Sequence, residues 1–182
     1  MAKGCIFIVG YMGVGKSSGG RRLARTLELP FADTDLVLMD RSGKEVSALF
    51  EEWGEPRFRK EEARVLRELT GDGSEELVIA TGGGTPCHED NMDFMLAHGT
   101  VLHFEVALEP LVVRLAANRK ERPLIADIPL EQLGDFVNRH MADRAPFYSR
   151  AHITVDAGSL DGERLASVAR MIRRLQQERL NP

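Results

Sequence analysis

The stretch GYMGVGKS, residues 10–17, matches the spacing GxxxxGK[ST], with Gly10, Gly15, Lys16 and Ser17 in register. The chemistry such a pattern serves is phosphate binding. Glycines let backbone N–H groups turn inward around phosphate oxygens, and the amino end of the following helix adds positive potential. Lys16 can neutralise β- and γ-phosphate charge, and the Ser17 hydroxyl can ligate Mg²⁺. An apolar run before the loop and a helical pattern after it argue against a fortuitous glycine turn. The chain has no NKxD stretch, so a guanine-specific GTPase would lack its base-reading element.

Five other clusters could do chemistry. DTD (33–35) closes a short apolar run, where an open α/β sheet places its ligand crevice. Its carboxylates could hold Mg²⁺ through water and orient a hydroxyl; a helix N-cap is the equal alternative. GGG (82–84) follows LVIAT, and either close ligand approach or a tight turn would account for three glycines. RPLI (122–125) and RAPFY (144–148) offer Arg122 and Arg144, which are surface arginines unless an anion sits nearby. In GEPRFRKEE (54–62), helical spacing links Arg59 to Glu55 and Glu62, and Arg57 to Glu61. Spacing alone does not separate a solvated charge run from a held ligand arginine.

These residues need elements to position them. Continuous apolar runs CIFIV (5–9), LVIA (77–80), TVLHFEV (100–106) and HITV (152–155), with a weaker PFADT (30–34), read as buried strands of a parallel sheet. Helical patterns lie between them: GKSSGGRRLARTLEL, SGKEVSALFEEWG, PRFRKEEARVLRELT, EDNMDFMLAHG and LEPLVVRLAANRK. Strand–helix alternation from end to end predicts a doubly wound α/β sheet in one domain. RKERPLIADIPL (119–130) breaks the pattern and reads as a lid or a plain surface loop.

Composition narrows the function. With 182 residues and 43% hydrophobic content, the chain reads as an ordinary globular domain. A net charge of -4 argues against nucleic acid as a partner, so any anion site must be local. Two cysteines, Cys5 and Cys87, form no CxxC or Cys/His metal spacing. The N-terminal MAKGCIFIVG is too short an apolar run for a signal peptide, and no segment is long enough for a bilayer, so the expected setting is the cytoplasm, without membrane contact. No unpaired apolar stripe suggests a partner helix, and a monomer is expected.

Taken together, the motifs GxxGxGKS (10–17), DTD (33–35), GExxFRxxE (54–62), TGGG (81–84), RPLI (122–125) and RxPxY (144–148) resemble the shikimate kinase family over nearly the whole chain. The resemblance implies a P-loop three-layer α/β/α fold with a five-stranded parallel sheet of order 2-3-1-4-5. It implies MgATP-dependent phosphorylation of the shikimate 3-hydroxyl, with a substrate segment near 34–64 and a lid near 115–128. By motif position it assigns ATP binding to Gly13, Val14, Gly15, Lys16, Ser17, Ser18 and Arg122. Shikimate falls to Asp35, Arg59, Gly82, Gly83, Gly84 and Arg144, with Phe50 and Phe58 as apolar walls and Glu62 holding Arg59. Mg²⁺ falls to Ser17 directly and Asp33 through water, and Lys16, Asp35 and Arg122 are the catalytic set.

Two departures stand out. RPLI replaces the commoner RPLL, a volume-conserving change. Asp156, Ala157, Gly158 and Ser159 stand where some relatives carry an adenine-side arginine, which leaves Arg114 or Arg119 for that task. A gluconate kinase of the same fold, or a nucleotide-binding module without catalysis, would explain the P-loop. Neither accounts well for the remaining motifs.

Overall fold

The structure, a computed structural model, describes residues 4–72 and 75–180. Residues 1–3, part of the stretch weighed as a leader, and 181–182, the end of the 1–182 span, lie outside them. The run CIFIV forms β1 (Cys5–Val9), buried at all five positions. It pairs in parallel with β3 (Val78–Ala80) on one side and β4 (Gly99–Glu105) on the other. β2 (Phe31–Asp33) lies outside β3 and β5 (Ile153–Asp156) outside β4, giving a parallel sheet of order 2-3-1-4-5, as the resemblance implied. β5, at the edge, alternates buried and exposed positions while central β1 does not. That is what two covered faces demand of a central strand.

Helix α1 (Lys16–Leu27) packs on α7 (Gly162–Leu180), and α5 (Leu108–Ala117) on α6 (Leu130–Tyr148). One large core of Phe7, Ile8, Leu23, Phe104, Leu111 and their neighbours lies between sheet and helices. α4 (Asn91–His98) follows a 3-10 turn at Thr85–Cys87.

Two features position the site. α2 (Thr34–Ser42), a helix absent from the sequence reading, starts inside DTD. α3 (Val46–Thr70) joins the two helical stretches expected around Gly54, whose φ of 70° and ψ of 162° break the helical path. Pro56 then stands near the start of the second stretch, where its missing N–H costs little. α2 and α3 pack through a second, smaller core of Leu38, Leu49, Phe58 and Val65. The interval 119–130 is neither helix nor free loop. It begins as a 3-10 turn at Arg119–Glu121, Ile125 is sunk in the main core, and Arg119 Nη1 donates to the Ile128 carbonyl at 2.6 Å.

Candidate active site

The phosphate loop leaves β1 at Gly10 and enters α1 at Gly15, whose φ of 93° is open to glycine and strained for other residues. No side chain caps α1, so its first-turn N–H groups are left for a ligand. Lys16 Nζ folds back along the loop and donates to the carbonyls of Gly10 and Tyr11, both at 2.9 Å. Burial pushes its ammonium down to about 8; Asp35 and Asp33 oppose the shift, and Arg122 and Arg144 add to it. Ser17 is exposed in the first turn of α1.

DTD serves both of its readings. Asp33 is the N-cap of α2: its Oδ1 accepts from the N–H groups of Asp35 (3.0 Å) and Leu36 (3.4 Å). Its second oxygen makes no hydrogen bond among the described residues. Thr34 Oγ1 accepts from the Gly82 N–H at 3.1 Å, tying the DTD turn to the glycine run. Asp35 projects into a cleft, where burial pushes its carboxyl up to about 7; Glu62 and Asp33 add to this, and Lys16 and Arg59 pull against it.

GEPRFRKEE resolves into two unlike arginines. Arg59 donates through Nε (3.2 Å) and Nη2 (3.0 Å) to Glu55 Oε1, and through Nη1 to Glu62 Oε2 at 2.6 Å. The second Glu62 oxygen accepts from Thr85 Oγ1 at 2.8 Å, so a carboxylate 1% exposed is satisfied on both sides. Burial works against the Arg59 charge, but Glu62 and Glu55 outweigh it and hold the guanidinium above its ordinary value. Phe50 and Phe58, 5.2 Å apart, lie beneath the same guanidinium. Arg57 is exposed and lies over the Trp53 ring at 4.9 Å. The expected Arg57–Glu61 pair does not form; Arg57 lies over Trp53, and Glu61 pairs instead with Arg64 at 3.2 Å.

The glycine run has a reason of its own. A Cβ on Gly82 would stand 2.1 Å from Glu62 Oε1, and one on Gly84 would stand 2.7 Å from Arg59 Cζ. Room for the Arg59–Glu62 pair is thus one demand on this segment. Tyr148 Oη donates to the Gly83 carbonyl at 2.6 Å and fixes the run from α6.

Arg144, also on α6, is buried and has no carboxylate partner among the described residues. Its guanidinium lies over the ring of Tyr11, whose hydroxyl meets His140 Nδ1 at 2.9 Å. Arg122 leaves its Nε buried without a hydrogen-bond partner. A buried guanidinium lacking an internal anion is costly unless a ligand supplies one.

These parts meet in a cleft of about 330 Å³. Asp35, Phe50, Phe58, Arg59, Glu62, Gly82, Gly83, Gly84, Arg122 and Arg144 all line it. A second recess, about 300 Å³, runs from Gly15 and Ser18 of the phosphate loop past Arg114 to Gly158 and Leu160. Arg119 does not line it, being spent on the Ile128 carbonyl. The links made by Thr34, Thr85 and Tyr11 escaped the sequence reading, since their partners are distant in the chain. Tyr148 stood in the RAPFY motif, whose terminal hydroxyl was the available signal.

Comparison with known proteins agrees in every respect that it tests. The family model for shikimate kinase matches residues 12–176. A shikimate kinase of Parabacteroides distasonis is 41% identical over 84% of this chain and 87% of its own. The crystal structure of shikimate kinase from Bacteroides thetaiotaomicron superposes with a TM-score of 0.81 at 37% identity, over 95% of this chain and 98% of that one. Shikimate kinase from Acinetobacter baumannii, solved in complex with shikimate, gives 0.79 at 30% identity, over 98% and 96%. A phosphate loop, a cleft with buried arginines and kinship along nearly the whole length lead to one conclusion: this chain belongs to the shikimate kinase family.

Proposed function

We propose that this protein transfers the γ-phosphate of ATP to the 3-hydroxyl of shikimate, giving ADP and shikimate 3-phosphate on the route to chorismate and the aromatic amino acids. The observation that carries the reading is Arg144, a buried guanidinium without a carboxylate partner among the described residues, which shares one cleft with Arg59. A ring bearing one carboxylate and several hydroxyls supplies what the cleft lacks. Its carboxylate docks on Arg59 and Arg144 as charge-assisted hydrogen bonds. Its hydroxyls meet Asp35 and the amides of Gly82, Gly83 and Gly84, and its ring lies against Phe50 and Phe58.

Phosphoryl transfer needs alignment and charge neutralisation more than covalent help. The amides of Gly13, Val14, Gly15, Lys16, Ser17 and Ser18 cradle the phosphates, and the Lys16 ammonium leaves its two carbonyls for the β- and γ-oxygens. Arg122 brings its unpaired Nε to the transferring group. Asp35 orients the acceptor hydroxyl and takes its proton; a carboxyl near 7 is matched to that exchange at neutral pH. The adenine rests in the second recess beside Arg114.

The donor set fits Mg²⁺. No group of three His, Cys, Asp or Glu side chains is placed to hold a metal ion among the described residues, so Mg²⁺ would take its other ligands from phosphate and water. The exposed Ser17 hydroxyl and the unbonded Asp33 oxygen are the protein's contribution. Bound there, the ion would supply positive charge that offsets the negative charge developing on the transferring phosphate. Residues 1–182 act as one kinase domain, monomeric and cytoplasmic; no helix among the described residues is long and apolar enough to cross a membrane.

A coupled ADP-release assay with shikimate, gluconate and no acceptor tests the reading. ADP release should require shikimate. Release with gluconate alone, or none from well-folded protein with any acceptor, would refute it.

A further inference from the structure

Glu55 has no part in the reaction as described so far. It stands one residue beyond the Gly54 kink and one helical turn before Arg59, with its side chain 48% exposed. A guanidinium has five N–H donors. Glu55 Oε1 takes the single Nε donor and one on Nη2, and Glu62 takes one on Nη1. Two donors remain, one on each terminal nitrogen. Arg59 and Glu62 line the cleft, whereas Glu55 is not among its lining residues.

We infer that Glu55 is a second positioning residue for the substrate carboxylate. It fixes the side-on edge of Arg59 from outside the cleft, so that the remaining N–H groups on the terminal nitrogens are what the ligand meets. Glu62 alone holds one terminal nitrogen and leaves the plane of the guanidinium free to swing about that contact. Two carboxylates on different nitrogens fix the plane. Bidentate recognition is lost when the plane is wrong, so the effect falls on substrate binding. The same geometry excludes a different role. A carboxylate competing for the substrate's place would need to stand in the cleft wall, and Glu55 stands outside it. Glu55 is itself 48% exposed and buried Arg59 keeps Glu62 when Glu55 is removed, so the Glu55 contact adds little to folding, which separates positioning from support of the fold.

This inference rests on the proposed role of Arg59, and the test separates the two. Steady-state kinetics on the full chain compare Glu55→Gln, Glu55→Ala and Arg59→Lys with the parent. Both Glu55 variants should raise KM for shikimate about 3- to 10-fold, leave kcat within about 2-fold, and leave KM for ATP and Tm unchanged, as expected when bidentate geometry is loosened. An unchanged shikimate KM, or a loss confined to kcat, overturns the inference. A lowered KM also overturns it, since that is the signature of a competing carboxylate. Arg59→Lys keeps the charge but loses the fork, and should raise KM further. A normal KM there overturns the assignment of Arg59 itself, whereas a raised KM there with normal Glu55 variants overturns this inference alone.

Discussion

Gly82 and Glu62 stand so close that a single methyl group on the glycine would lie 2.1 Å from the carboxylate Oε1. The clash is with an oxygen held in place by Thr85 and, across the carboxylate, by Arg59. Gly82→Ala must therefore displace the pair that presents Arg59. The expected result is a shikimate KM raised at least about 10-fold with ATP affinity retained, measured by steady-state kinetics and nucleotide titration. Equal loss of both affinities would show that the glycine run supports the whole fold instead.

The two arginines proposed to bind the carboxylate should behave alike in kinetics and oppositely in stability. Arg59→Ala and Arg144→Met should each abolish shikimate turnover while sparing ATP binding. Removing Arg59 strands Glu62, 1% exposed, without its cation, and breaking a buried pair costs about 3–5 kcal/mol. Removing Arg144 relieves a buried charge that has no carboxylate partner among the described residues, so Arg144→Met should be neutral or stabilising. Thermal melts of the free proteins check the contrast; equal losses of Tm would contradict it.

Asp35→Asn should cut kcat severely and yet raise Tm. The sign follows from linkage. Burial holds the folded carboxyl near 7 against an ordinary value of 3.8, so the folded state binds the proton more tightly. That advantage is complete below 3.8 and is lost as pH rises through about 7. Asparagine removes the cost of burying the charge. The Tm gain should therefore be clear at pH 8 and nearly vanish at pH 4, at about 2–4 °C per kcal/mol for a chain of this size. Near-parental kcat would refute the role given to Asp35.

The pH profile of kcat/KM should be a narrow bell. The proposed mechanism needs Asp35 ionised, which its raised value of about 7 delays, and Lys16 charged, which its lowered value of about 8 curtails. The acid limb rises near 7 and the alkaline limb falls near 8. Because the two groups act on each other, both limbs belong to the pair. Asp35→Asn should remove the acid limb; a profile flat from pH 6 to 9 in the parent would count against both assignments.

How much of this was legible in the sequence differs by element. β1 and the phosphate loop were plain, since a continuously apolar run and a fixed glycine spacing are local signals. Helix α2 was not, because Leu36, Val37, Leu38 and Met39 form an apolar block rather than a helical stripe, and the side chains of Leu38 and Val37 serve the second core. RAPFY read as a segment of its own, whereas α6 runs on through Pro146 to Tyr148. The links of Thr34 to Gly82 and of Tyr148 to Gly83 span 48 and 65 residues, beyond any helical or strand spacing. The spacing of Arg59 to Glu62 and Glu55 was readable; that a kink at Gly54 would send Arg57 to Trp53 was not.

The small core of Leu38, Leu49, Phe58 and Val65 has a consequence for motion. Because α2 and α3 bury apolar side chains against each other, they form a unit with its own cohesion, separate from the large core under the sheet. Such units open as pieces. Amide hydrogens across residues 34–53 should exchange together, ahead of those in β1 and β4, and saturating shikimate should slow the first group while leaving the second untouched. The arm that carries Phe50 would then reach the ligand as a preassembled jaw hinged on the sheet, not as a loop that must fold each time.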